Sequence, residues 1–319
     1  MADGDWGNQT LVTEFTLLGF GDCSELQTVL FLLFFTIYIM TMAGNIFILV
    51  LVVADCHLHT PMYFFLGNLS CLEICYSSTI LPRLLASLLT GDRTVLFSGC
   101  FLQFYFFACL AGAECYLLSV MSYDRYLAIC QPLHYASLMH GRFCLQLAGG
   151  SWLSGFLANS VTIVFMSRLT FCGPNEIDHF FCDFTPMLKL SCSDAEFMER
   201  VAFTLAAVYT LPPFTLTLTS YVYILISILR IPSSRGRQRA FSTCSSHLIV
   251  VTVFYGTLSM IYMLPGSTMR RDLHKTFSVF YTVLTPLANP LIYSLRNREV
   301  KEALRKALRK LVASQPCKP

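Results

Sequence analysis

Seven apolar runs, each long enough to cross a lipid bilayer, are the strongest constraint on this chain of 319 residues. They fall near 27–53, 61–89, 99–127, 142–166, 198–229, 239–263 and 273–294. A hydrocarbon core of about 30 Å needs about 20 helical residues. A segment inside it must satisfy its own backbone polar groups, which leaves helices or a closed barrel. Barrel strands are short and alternate in polarity; these runs are continuous, so helices are expected. Composition agrees, with 55% hydrophobic residues, 13% charged and a mean hydropathy of +0.60, against about 25% charged in soluble domains. The expected fold class is an all-α membrane protein, a seven-transmembrane helix bundle. It divides into an extracellular N-terminus (1–26), the seven-helix domain (27–294) and a cytoplasmic amphipathic helix and tail (295–319).

Orientation follows from the basic residues, which concentrate on cytoplasmic loops. With the N-terminus outside, fourteen of the 22 Lys and Arg fall inside, among them Arg125, Arg230, Arg235, Arg237 and Arg239. The first 26 residues carry acids and no basic residue, and Asn8-Gln9-Thr10 is a glycosylation sequon usable at Asn8 only on the lumenal side. The first run is too long for a cleaved signal core and reads as a retained anchor. Beyond Arg296, apolar Val300, Ala303, Leu304, Ala307, Leu308 and Leu311 share a helical face, with Lys301, Arg305, Arg309 and Lys310 off it. That pattern suits a helix lying on an anionic leaflet; the alternative is a solvated basic tail. The net charge of only +3 gives no reason to expect nucleic acid as a partner.

The fourteen cysteines are too dispersed for a disulfide scaffold, and no CxxC or Cys/His cluster shows zinc spacing. Most lie within apolar runs and read as small buried hydrophobes. Cys100, Cys172, Cys182 and Cys192 stand apart at helix ends or in the long polar loop near 167–197. Four cysteines allow three pairings.

Two acids, Glu73 and Glu114, fall half-way through the second and third runs. Intramembrane ionisable groups default to functional roles. The two could share a proton or hold a cation; alternatively each is a neutral, hydrogen-bonded acid. Asp124-Arg125-Tyr126 ends the third run. An adjacent acid and base can pair and hold a closed state; the alternative is interfacial snorkelling. Pro212, Pro213, Pro265, Pro286 and Pro290 punctuate the later helices and favour bends. The seven histidines fall in loops or at helix ends, so no catalytic constellation and no enzyme activity are expected. A transporter or channel shares kinks and buried acids but usually shows internal repeats, which are absent.

Several stretches resemble the signatures of vertebrate odorant receptors, within the rhodopsin-like G-protein-coupled superfamily. They are Leu58-His59-Thr60-Pro61-Met62-Tyr63-Phe64-Phe65-Leu66; Met121-Ser122-Tyr123-Asp124-Arg125-Tyr126-Leu127-Ala128-Ile129-Cys130; Ser220-Tyr221; Arg239-Ala240-Phe241-Ser242-Thr243-Cys244-Ser245-Ser246-His247; and Pro286-Leu287-Ala288-Asn289-Pro290-Leu291-Ile292-Tyr293. They occur in order across nearly the whole chain. Ser122 and Leu127 stand where Ala and Val are commoner, and Glu73 where Asp is usual.

The resemblance implies an odorant receptor of the plasma membrane, multi-pass with its N-terminus extracellular, whose partners are a small odorant, a heterotrimeric G protein of the stimulatory kind and the bilayer. A receptor of the same fold with a non-olfactory ligand is the nearest rival. It implies disulfides Cys100–Cys182 and Cys172–Cys192, and no cofactor beyond a structural sodium ion at Glu73 and Glu114. Asp124, Arg125, Tyr126, Tyr221, Asn289, Pro290 and Tyr293 would form the switch. The ligand would sit in the outer half of the bundle, among Phe104, Phe107, Ala108, Ala111, Gly112 and Cys115 on helix three, Leu205, Ala206 and Tyr209 on helix five, Tyr255, Leu258, Ser259 and Tyr262 on helix six, and Thr282 on helix seven; ordinary helix packing is the alternative for each. Such a lining suits small, weakly polar ligands, with affinities on the order of micromolar or weaker.

Overall fold

The structure is a computed structural model; it describes residues 13–21, 24–171, 175–192, 195–262 and 271–296, together with Val300 and Glu302. Seven long helices form the bundle: α1 (Ser24–Ala54), α2 (Pro61–Thr90), α3 (Phe97–Cys130), α4 (Gly141–Met166), α5 (Ala195–Leu229), α6 (Ser234–Tyr262) and α7 (271–296). Each matches one of the runs read from sequence, with ends shifted by a few residues. Five of them are long and apolar enough to cross a membrane by length and composition. The sixth keeps only the shorter apolar stretch Cys244–Ser259, because its first turns carry Arg235, Arg237 and Arg239. The seventh opens on the charged residues Arg271, Asp272 and Lys275.

The packing is inverted relative to a soluble protein. Val29, Leu32 and Val53 on α1 and Leu145, Leu153 and Leu157 on α4 are exposed, while Asn45, Glu73, Glu114, Asp124 and Asn289 are buried. Apolar side chains turned outward cost nothing in lipid, and polar groups turned inward can find partners there.

Local chemistry sets the helix ends. The residue before a proline avoids the α region, so Thr60 is extended and Pro61 opens α2. Gly91 ends α2 in the left-handed conformation, at φ 75°, where glycine carries no Cβ penalty. His140 caps α4 by accepting from the Phe143 amide through Nδ1 at 3.2 Å. Close approach shapes the α3–α4 seam: a Cβ on Gly155 would lie 2.3 Å from the Cys109 carbonyl oxygen, so only glycine lets the backbones meet. Within α7, residues Phe280–Leu284 form a π-helical stretch ahead of Thr285–Arg296. Such wide turns gather at functional sites.

Part of the N-terminal segment, read from sequence only as extracellular, is a strand built into the fold. Glu14–Leu17 (β1) is the middle strand of a three-stranded sheet, antiparallel to Thr94–Leu96 (β2) and parallel to Glu176–Ile177 (β3). Phe15 and Leu17 are buried beneath it. Phe20 stacks on Phe34 and Phe180 at 5.6 and 5.1 Å. Arg93 donates to the carbonyls of Leu18 and Gly21, at 3.2 and 2.7 Å. Lys275 Nζ lies 2.5 Å from Asp178 Oδ1 and 3.0 Å from the Gly19 carbonyl, so the strap, the long loop and α7 share one cation. In the loop before β2, hydrogen bonds from the Thr94 hydroxyl and amide hold the Asp92 carboxyl below the usual carboxylate range.

The long loop after α4 is tied to α3 by the Cys100–Cys182 disulfide, with a Cα–Cα distance of 5.4 Å. Cys192 is also disulfide-bonded; Cys172, the mate implied by the resemblance, lies outside the described residues. Asn8 and nearly all of the amphipathic stretch after Arg296 also lie outside them, although Val300 is buried in the core cluster that spans the Arg125 end of the bundle.

Candidate functional site within the bundle

Three levels of the bundle carry the candidate residues. At the outer level α3 supplies Phe104 and Phe107, both buried. Phe107 does not face an open space: its ring meets Phe181 at 4.9 Å, Tyr76 at 5.3 Å and Tyr281 at 5.7 Å. Phe104 faces Phe184 of the long loop at 6.3 Å. His179 of the same loop stacks on Phe180 and pairs with Ser278 of α7 through Nε2 at 3.2 Å. The loop thus packs down onto the residues that sequence assigned to the ligand.

Those residues divide. Tyr255 is buried, and its hydroxyl donates to the Cys115 carbonyl at 2.9 Å while its ring meets Phe214 at 5.2 Å, joining α3, α5 and α6. Leu258 packs against the same core, and Ala111 against the outer cluster around Phe107. Thr282 is buried and donates to the Ser278 carbonyl at 2.7 Å. Leu205 and Tyr209 are half-buried on α5. Ala108 packs against the outer cluster that holds Phe104 and Cys182, and its carbonyl accepts from Asn159 of α4 at 3.0 Å. The rest are placed differently. Gly112 faces α4, where an added Cβ would lie 3.1 Å from the Gly155 Cα, and sits in the helix-packing seam because a small residue is needed there. Ala206 and Ser259 are exposed on the flank of the bundle. The Tyr262 side chain lies outside the described residues.

At mid-depth Glu73 and Glu114 are buried and face one another closely enough to interact directly. Asn289 Nδ2 donates to Glu73 Oε1. Among the described residues no donor reaches Glu73 Oε2, Glu114 Oε1 or the hydroxyl of Ser77, one turn along α2. Buried oxygens left without donors are costly, and a hard cation is the group that such a set of oxygens fits.

At the far end the Arg125 guanidinium is held by its neighbour Asp124, through Nε at 3.0 Å and through Nη2. Tyr135, on the short helix Pro132–Leu138, donates to the other oxygen of Asp124 at 2.8 Å. Asp124 is fully buried. Tyr126 approaches Tyr223 of α5 at 5.9 Å. Tyr221 of α5 and His247 of α6 are hydrogen-bonded. Pro290 packs on Gly44, where a Cβ would lie 3.1 Å away. Tyr293 is buried with no hydrogen-bond partner for its hydroxyl among the described residues. Sequence reasoning gave no role to His247, Tyr135 or Tyr223 at this end, since only the fold shows which side chains face one another.

The seven-helix bundle thus holds two buried acids at mid-depth and, beneath them, an arginine closed by its adjacent acid. The crystal structure of squid rhodopsin shares the fold, with a TM-score of 0.70 over 93% of this chain and 89% of that one at 15% identity. Residues 34–311 match the family model described as olfactory receptor. Human olfactory receptor 6N1 is 48% identical over 96% of this chain and 98% of its own length, and human olfactory receptor 11L1 is 49% identical over 95% and 94%. Mouse olfactory receptor 5M5 is 46% identical over 97% of each. The chain belongs to the olfactory receptor family: a multi-pass membrane receptor, not an enzyme.

Proposed function

We propose that this receptor binds a small, mostly apolar odorant in the outer half of the bundle, at the plasma membrane with its N-terminus outside, and that it activates a stimulatory heterotrimeric G protein that raises cyclic AMP. The observation that carries the reading is the Asp124–Arg125 closure. An arginine held by a neighbouring acid can be released to a partner when a ligand favours the open bundle by its differential affinity. Tyr255 supports the outer assignment, since its bond to Cys115 and its contact with Phe214 bring three helices to one side chain. A ligand that displaced either contact would alter how α6 sits on α3. Phe104, Phe107, Leu205, Tyr209, Leu258 and Thr282 are the further residues we assign to the ligand region. Tyr209 and Thr282 offer hydroxyls for a weakly polar group.

Glu73 and Glu114 would hold a sodium ion in the closed state, their unpartnered oxygens providing hard ligands. Glu114→Gln should shift basal signalling or abolish surface expression. A variant that traffics, signals and responds to sodium as the parent does would remove the site. The main test is cyclic AMP measured in cells displaying the receptor during exposure to an odorant panel. Responses should appear in the parent and vanish in Arg125→Ala at equal surface level. Responses that persist in Arg125→Ala would overturn the switch assignment.

A further inference from the structure

The turn between α1 and α2 gathers three donors of the kind that bind transition metals. Asp55 caps the 3₁₀ turn Cys56–Leu58 by accepting from the His57 amide at 3.2 Å. Its Oδ1 lies 2.9 Å from His57 Nδ1, and Cys56 Sγ lies 3.7 Å from the same nitrogen. All three ligand atoms fall within 4.8 Å of one another. Tetrahedral zinc with ordinary bond lengths gives edges of about 3.6 Å between sulfur and nitrogen and about 3.4 Å between nitrogen and oxygen. The observed separations lie within about half an ångström of both, so an ion could be seated by small side-chain rotations.

Three further features favour binding. Leu58, only 1% exposed, anchors the turn in the core, and Pro61 starts α2 just beyond, so the backbone that presents the donors is fixed from both sides. The His57 side chain is 77% exposed, which leaves the ion a route in and a coordination position for water. Thiolate, imidazole and carboxylate together suit zinc rather than magnesium or calcium, which take oxygen alone. The sequence reading found no zinc spacing because it looked for separated pairs. Here consecutive residues converge only because a 3₁₀ turn brings them to one side.

We propose that Asp55, Cys56 and His57 form a zinc site at the same end of the bundle as Arg125. On binding, the Cys56 thiol gives its proton to solvent, and the zinc ion takes up the resulting thiolate. Nδ1 of His57, which now donates to Asp55 Oδ1, gives up that proton while Nε2 takes one from solvent, so that neutral His57 binds the metal through the Nδ1 lone pair in place of this hydrogen bond. The ion would lock the junction of α1 and α2.

The test uses the purified full-length receptor in lipid nanodiscs, titrated with Co²⁺ as a spectroscopic probe and then with Zn²⁺. A saturable one-to-one thiolate-to-cobalt absorption band, bleached by Zn²⁺, is expected. Cys56→Ser should abolish it. His57→Ala and Asp55→Asn should each weaken binding at least about tenfold, and Asn keeps a capping oxygen so that the turn survives. Cys71→Ser, which removes another exposed cysteine, should change nothing. The proposal is overturned if no such band forms, if it persists in Cys56→Ser, or if Asp55→Asn binds as the parent does, which would leave Asp55 as a cap alone.

Discussion

The hydroxyl of Tyr221 lies 2.5 Å from Nδ1 of His247, and the two rings stack at an interplanar angle of 24°, which ties α5 to α6 just above Arg125. Both residues are buried, so neither can exchange this bond for one to water. A double-mutant cycle with Tyr221→Phe and His247→Phe should show a coupling of about 1 kcal/mol in the unfolding free energy of the purified receptor. Additive losses would mean that the two side chains act separately.

The seam between α3 and α4 gives a sharper stability test. Gly155→Ala forces a Cβ to within 2.3 Å of the Cys109 carbonyl and 2.5 Å of the Ala113 nitrogen, and backbone cannot rotate away as a side chain can. A loss of about 1–3 kcal/mol or more is expected, read as a lower melting temperature and reduced surface display. Gly150→Ala, with nothing within 4 Å of the new Cβ, should be neutral within about 0.5 kcal/mol.

Asp124→Asn removes the charge that holds Arg125 but keeps an acceptor for Tyr135. Ligand-independent cyclic AMP should rise severalfold at matched surface level. Tyr135→Phe should have a smaller effect in the same direction, because the ion pair survives. Basal signalling that is unchanged in both variants would show that this pair does not restrain the closed state.

The N-terminal strap offers a measurement that needs no ligand. Lys275→Met deletes the cation shared by Asp178 and Gly19. A partly exposed pair of this kind contributes about 0.5–1 kcal/mol, so hydrogen exchange at the amides of Thr16, Leu17, Leu18 and Gly19 should quicken by about two- to fivefold. Exchange within α3 should not move.

Much of this architecture could be read before any coordinates. The long apolar runs gave the helices, since lipid leaves the backbone few alternatives. The Asp124–Arg125 pair was legible because the two are adjacent along the chain, whereas Tyr221, Asn289 and Tyr293 entered only through the family resemblance. What escaped was everything decided by direction. Gly112 and Phe107 both belong to the helical series 104, 107, 108, 111, 112 and 115 that sequence assigned to the ligand. Yet the first is drawn to α4 by its lack of a side chain, and the second to Tyr76 and Tyr281 by its ring. The strap was passed over although its pattern was present: Glu14, Phe15, Thr16 and Leu17 alternate polar and apolar, as a half-buried strand requires. Four residues are too few to be read as a strand without the partner strands, and β3 lies some 160 positions further on.

That separation has a consequence for how the receptor is made. Strand β1 is made before α1, but its parallel partner Glu176–Ile177 emerges only after α4 is complete. A segment made ahead of four long helices is therefore placed only after them. Until the loop arrives, Phe15 and Leu17 have no site, and a nascent chain would display them to whatever chaperones patrol that compartment. Burial of Phe15 and Leu17 under the sheet therefore requires that α4 and the loop after it have already been made.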